Sequence, residues 1–221
     1  MKRSIRERYE QAVFDTDRQQ ALQVVEQALK IGMTPEEIVF EVVVPAIEDS
    51  ISAVSVRRYT NLAQHFMASQ IAAEVTEQMV PLFSQTPEML GRMVIGTAAG
   101  DFHGLGKRIV SGCLKAQMVE VFDLGLNVPA ERFVEQAVTE GAGVIGISSM
   151  MVHTACSENG PQEVRRILRE RGLEDRIRII VGGAPYNHDD ELYHTVQADA
   201  WARNGVAAGP VVMRLLEEVR P

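Results

Sequence analysis

"MVIGTAAGDFHGLGKRIV", residues 93–110, decides how this chain is read. It opens as an apolar, strand-like run, passes through a glycine-rich turn and continues with helical spacing. Working outward, the same alternation recurs four more times. Strand-like runs fall at 118–125, 143–151, 177–184 and 198–204, with helical segments at 106–117, 130–140, 160–171, 188–196 and 206–219. Strands that are apolar almost throughout, joined by crossover helices, predict a parallel sheet covered on both faces.

Right-handed crossovers then give an α/β fold over residues 89–221: a five-stranded parallel doubly wound sheet of Rossmann or flavodoxin type. Residues 1–88 have a different period. "DRQQALQVVEQALKIG" (17–32) sets Leu22, Val25 and Leu29 with Ala21, Val24 and Ala28 on one stripe, with Gly32 as the stop. "TPEEIVFEVVVPAIEDSIS" (34–52) enters a helix through Thr34 and Pro35, and Pro45 predicts a kink or break inside it. With a first helix near 4–14 and a long one over 59–83, the expectation is an N-terminal four-helix bundle, linked through "SQTPEMLGR" (84–92).

A formal charge of −8 over 221 residues argues against a nucleic-acid footprint. No apolar run approaches membrane-spanning length, and the polar "MKRSIRERYEQ" start is unlike a secretory signal. Cys113 and Cys156 lack metal or redox spacing. A cytoplasmic, reduced protein is expected.

Ligands on such a sheet bind outside the carboxyl ends of the strands. Three loops stand out there: "GDFHGLG" (100–106), "SSMMVHT" (148–154) and "GGAPY" (182–186). The first is neither G-x-G-x-x-G nor a P-loop, because Lys107 is followed by Arg108. Asp101 at the helix entry would also repel phosphate. Asp123 lies within range of the ribose-binding position but is unconvincing there. A hydrolase using Asp101, His103 and Ser148 or Ser149 lacks the G-x-S-x-G elbow. His103 by itself reads as a helix-entry histidine partnered by Asp101.

Asp101, His103 and Gly106 form D-x-H-x-x-G, with Ser148 and Met150 in the place of S-x-L and Gly182–Gly183 in the place of G-G. In this the chain resembles the cobalamin-binding domain of methionine synthase and the small corrinoid proteins of anaerobic methyltransferase systems, which also carry a helical cap. The resemblance implies bound cobalamin, methylcobalamin when loaded. His103 would be the lower cobalt ligand in place of the cofactor's own benzimidazole, the base-off/His-on state. Asp101 would orient the imidazole and Thr154 would extend that relay. Gly104 and Gly106 would pass the backbone beneath the corrin, while Ser148, Met150, Gly182, Gly183 and Ala184 would line the slot for the nucleotide tail. Phe102 and Leu105 would flank the loop, by ring contact or by ordinary apolar packing.

The family's acidic-aromatic-Leu-Pro-Glu stretch reads here as "YTNLAQHFMASQ", so the upper-face candidates His65, Phe66 and Met67 stand by position only. The implied role is a non-catalytic methyl carrier served by a substrate-specific methyltransferase, an acceptor methyltransferase and a reductive activase. The alternatives are a cobalamin-responsive sensor, which normally carries a DNA-binding domain for which these residues leave no room, and a storage protein.

Overall fold

The computed structural model describes residues 2–47, 62–84 and 89–219. The expected helix residues 48–52 and 59–61 and the linker residues 85–88 lie outside them, as does the side chain of His65. The chain divides near residue 88 into two compact units.

In the first unit α1 (Lys2–Phe14) and α2 (Arg18–Lys30) meet at a tight turn, where Asp17 caps α2 by accepting the Gln20 N–H at 2.9 Å. Thr34 opens α3 (Pro35–Ile38) with a full capping box: its Oγ1 accepts the Glu37 N–H, and the Glu37 carboxylate accepts the Thr34 N–H. The kink expected at Pro45 takes the form of a π-helical turn, Val39–Val43, closed by the Val44 N–H on the Val39 carbonyl. The widened turn lies just before Pro45, whose ring would crowd the Glu41 carbonyl in a regular helix and whose nitrogen offers no N–H. Helix continues over 44–47. The last long helix, α4 (Leu62–Met79), ends in a 3₁₀ turn, Val80–Leu82, around Pro81. Phe66 and Met67 on α4 are half-buried.

The second unit is the five-stranded parallel sheet, in the order β2-β1-β3-β4-β5. Its strands are β1 (Gly91–Thr97), β2 (Val119–Asp123), β3 (Val144–Ser148), β4 (Arg178–Gly182) and β5 (Ala200–Ala202). The helices are α5 (Leu105–Ala116), α6 (Ala130–Glu140), α7 (Val152–Ala155), α8 (Pro161–Glu170), α9 (Ala184–His188), α10 (Leu192–Thr195) and α11 (Gly205–Glu218). Sequence periodicity misses α7, which is one turn long. It also misses α9, and its segment at 188–196 begins only at the last residue of α9 and runs through α10. They are separate because Asp189 is extended and its Oδ1 accepts the Glu191 N–H, a local turn that interrupts the helix.

Two apolar layers cover the sheet. Val94, Ile145, Ile147, Ile179 and Val181 pack against α6 and α8 through Phe133, Val134, Val164 and Leu168. Met93, Ile95, Val144 and Ile180 face the other way, onto Leu114 of α5 and Val212 and Leu215 of α11. Among the described residues, no helix is long and apolar enough to cross a membrane.

Candidate functional site

Parallel register carries one row of residues across the carboxyl end of the sheet: Thr97 beside Ser148, Ser148 beside Gly182, and Gly182 beside Ala202. By strand alternation this row shares the α5/α11 face with Ile95 and Ile180. Large apolar side chains fill the lower part of that layer, whereas every member of the terminal row is small. α11 enters over it with Gly205, where a Cβ would lie 2.9 Å from Ile109 and 3.1 Å from Cys113 Sγ. A narrow, small-walled layer at the ligand-binding edge is therefore built into the register.

Above the row stands the β1–α5 loop. Its centre is Asp101, 1% exposed. Oδ1 accepts the His103 N–H at 2.9 Å and lies 3.0 Å from His103 Nδ1. Oδ2 accepts the Met150 N–H at 2.6 Å and sits 2.9 Å from Thr154 Oγ1. That hydroxyl has one proton to share between Oδ2 and the Met151 carbonyl at 2.8 Å. Burial alone would raise the Asp101 pKa. The N–H donors of Met150 and His103, with Thr154 and the His103 ring, outweigh it and hold the carboxyl below its ordinary value. An ionised carboxylate only accepts, so His103 must carry its proton on Nδ1. In the neutral ring Nε2 then keeps the lone pair, and the side chain is 58% exposed.

The β2–α6 loop braces the turn from the other side, through a residue that sequence reading missed. Asn127 accepts the Gly100 N–H through Oδ1 at 2.7 Å and donates its own N–H to the Asp101 carbonyl at 3.0 Å and to Thr97 Oγ1 at 2.8 Å. It does so with φ +53°. An asparagine between Leu126 and Val128–Pro129 was the available signal, since asparagine tolerates that conformation. Lys107, its side chain 2% exposed, is ion-paired with Asp123, so neither is free for a phosphate or a ribose.

The glycines differ in what they answer to. A Cβ on Gly104 would meet Leu126 Cδ2 at 2.8 Å, and one on Gly183, at φ +119°, would lie 2.0 Å from the Ser149 carbonyl oxygen; both needs are internal. Among the described residues no atom lies within 4 Å of the Gly106 Cβ position, so no described neighbour requires glycine there. Around His103 the rim is apolar and exposed: Phe102, Leu105, Leu126, Met150, Met151 and Val152. Ala184 begins α9 beside Gly183, and His153 is exposed on α7. Among the described residues, no group of three or more His, Cys, Asp or Glu could hold a metal ion, so His103 can offer a metal one nitrogen only.

Comparison with known proteins agrees with this construction. Residues 91–209 match the family described as B12 binding domain, and residues 5–49 match a second B12 binding domain family. Dimethylamine corrinoid protein 1 of Methanosarcina mazei is 32% identical over 209 residues, covering 93% of each chain. Dimethylamine corrinoid protein of Methanosarcina barkeri is 33% identical over 212 residues, covering 93% of this chain and 94% of that one. Among solved structures, a cobalamin-binding protein from Desulfitobacterium hafniense superposes with a TM-score of 0.74 at 21% identity, over 94% of this chain and 96% of that one. The methanol:cobalamin methyltransferase complex of Methanosarcina barkeri does so with 0.76 at 22%, over 97% and 80%. The chain belongs to the B12-binding corrinoid protein family, with an N-terminal helical cap and cobalamin as its cofactor.

Proposed function

We propose that this protein is a methyl carrier that holds cobalamin base-off with His103 as the lower axial ligand. The observation that supports it is the Asp101 network: a buried, ionised carboxylate fixes the Nδ1–H tautomer and leaves Nε2 as an exposed donor in an apolar rim. One imidazole suits a metal that arrives with a ring of its own ligands. When bound, cobalamin supplies a cobalt that accepts and releases a methyl group.

The chain's own residues have the remaining tasks. Asp101 orients the ring and fixes its tautomer, and Met150 and Thr154 orient Asp101. The small row of Ser148, Gly182 and Ala202 would admit the nucleotide tail, with Ala184 at its edge. Gly106 would leave clearance for the corrin, and Phe102, Leu105 and Met150 would cover apolar ring edge and exclude water. Methyl donor and acceptor would be handled by partner methyltransferases, in keeping with relatives that are dimethylamine corrinoid proteins.

The test begins with a visible spectrum. Protein reconstituted with methylcobalamin should show the base-off, histidine-on state, and His103→Ala should lose it; identical spectra would overturn the ligand assignment. The reduced, loaded protein should then accept methyl from a donor methyltransferase encoded beside it. Selective retention of adenosylcobalamin without methylation would replace the carrier reading with a sensor.

A further inference from the structure

A lysine is buried immediately after Gly106. The Lys107 side chain is 2% exposed, while Asp123, whose Oδ1 accepts from its ammonium, is 42% exposed. Taking an ammonium out of water is costly, and an apolar side chain of similar volume is often at least as stable in such a place. Stability therefore does not account for the charge. What the pair supplies is direction: it fixes the first turn of α5 against the last residue of β2.

From Asp123 the β2–α6 loop follows the residues around His103. The same Oδ1 accepts the Gly125 N–H at 2.8 Å, and the Gly125 carbonyl accepts the Thr97 N–H at 3.2 Å. Leu126 Cδ2 comes within 2.8 Å of where a Gly104 Cβ would stand. Asn127 holds the Gly100 N–H at 2.7 Å and the Asp101 carbonyl at 3.0 Å. The loop thus grips the chain before His103 at residues 100 and 101, and after it at residues 104 and 107. The Asp101 carboxylate is held separately, by Met150 and Thr154 from the end of β3. That carboxylate decides which ring nitrogen carries the proton; the loop fixes the backbone from which the ring projects.

We propose that Lys107 and Asp123 are positioning residues for His103: their ion pair closes the β2–α6 loop on residues 100–107 and holds the backbone that presents Nε2. This rests on the cofactor reading above. A segment ordered in advance spares the axial bond the cost of ordering it, so without the pair His103 binds cobalt more weakly.

The experiment compares the full chain, loaded with cob(II)alamin, as wild type and as the double variant Lys107→Met with Asp123→Asn. The two charges leave together, so no buried charge is stranded and the net charge near the cobalt is unchanged. One electron from a chemical reductant takes Co(II) to Co(I), which is four-coordinate and releases the lower nitrogen. Weaker ligation of Co(II) by His103 therefore raises the midpoint potential, whereas looser packing that weakens both states alike leaves it unmoved. Ordering one side chain is worth about two- to tenfold in binding. The potential of the double variant should accordingly rise by about 18–59 mV, with the cofactor-free Tm near that of wild type. An unchanged potential would overturn the proposal. So would a Tm far below wild type, which would make the pair a folding determinant. Asp123→Asn alone strands the buried ammonium and should melt below the double variant; equal melting would mean that the ion pair does not hold Lys107. If wild-type cob(II)alamin shows no histidine nitrogen at the axial position, the cofactor reading falls and takes this inference with it.

Discussion

Asp101→Asn keeps the shape of the side chain and changes only what its two ends can accept. Each carboxylate oxygen now serves two contacts: Oδ1 takes the His103 N–H and faces Nδ1, and Oδ2 takes the Met150 N–H and faces Thr154. An amide has one accepting end. With its oxygen toward Met150, its NH₂ opposes the His103 N–H and turns Nδ1 into an acceptor, which moves the ring proton to Nε2 and removes the lone pair proposed for cobalt. With its oxygen toward His103, its NH₂ opposes the Met150 N–H, while Thr154 retains the Met151 carbonyl at 2.8 Å. In both cases one backbone N–H loses a charged acceptor, a loss of about 1.5–3 kcal/mol. For a chain of this size that lowers Tm by about 3–12 °C. Melting of the cofactor-free protein at neutral pH, followed by circular dichroism, reads it directly. A variant that melts with wild type would refute the reasoning, because it would mean that these contacts are not held in solution.

Three further outcomes follow from the same geometry. Asp101 titrates below its unfolded value, so its contribution is present above about pH 4 and is lost as pH falls through the lower folded value; the urea-midpoint gap between wild type and Asp101→Asn should narrow below about pH 4, and a constant gap would contradict the assignment. Gly183→Ala puts a Cβ 2.0 Å from the Ser149 oxygen at φ +119° and should cost about 3 kcal/mol or more in chemical denaturation; a near-neutral result would mean that the β4 end is differently placed. Gly106→Ala meets no atom of the described residues within 4 Å and lies in the first turn of α5, so Tm should hold or rise slightly while cobalamin affinity falls. Undiminished affinity would remove the corrin from that face.

The sheet was legible because its strands are buried on both faces and so read as unbroken apolar runs; Met93–Ile95, Val144–Ile147 and Ile179–Val181 give β1, β3 and β4 almost without effort. Short elements were not. Four residues, as in α7, span too little of a period to declare themselves, and the α9/α10 break depends on the Asp189 side chain capturing a nearby N–H. The D-x-H-x-x-G spacing placed Asp101 and His103 in contact because two residues within one turn leave little choice. What joins that turn to residues 127, 150 and 154 depends on strand register and loop path. A change of one residue in the β1–β3 register would separate them, and no local pattern encodes it.

Electron paramagnetic resonance of the protein loaded with cob(II)alamin and labelled with ¹⁵N-histidine tests the central claim most directly. If His103 Nε2 binds the cobalt, the axial nitrogen splitting changes from a triplet to a doublet on labelling, and the doublet is absent in His103→Ala. A triplet that persists in labelled protein would assign the axial position to the cofactor's own base and contradict the account.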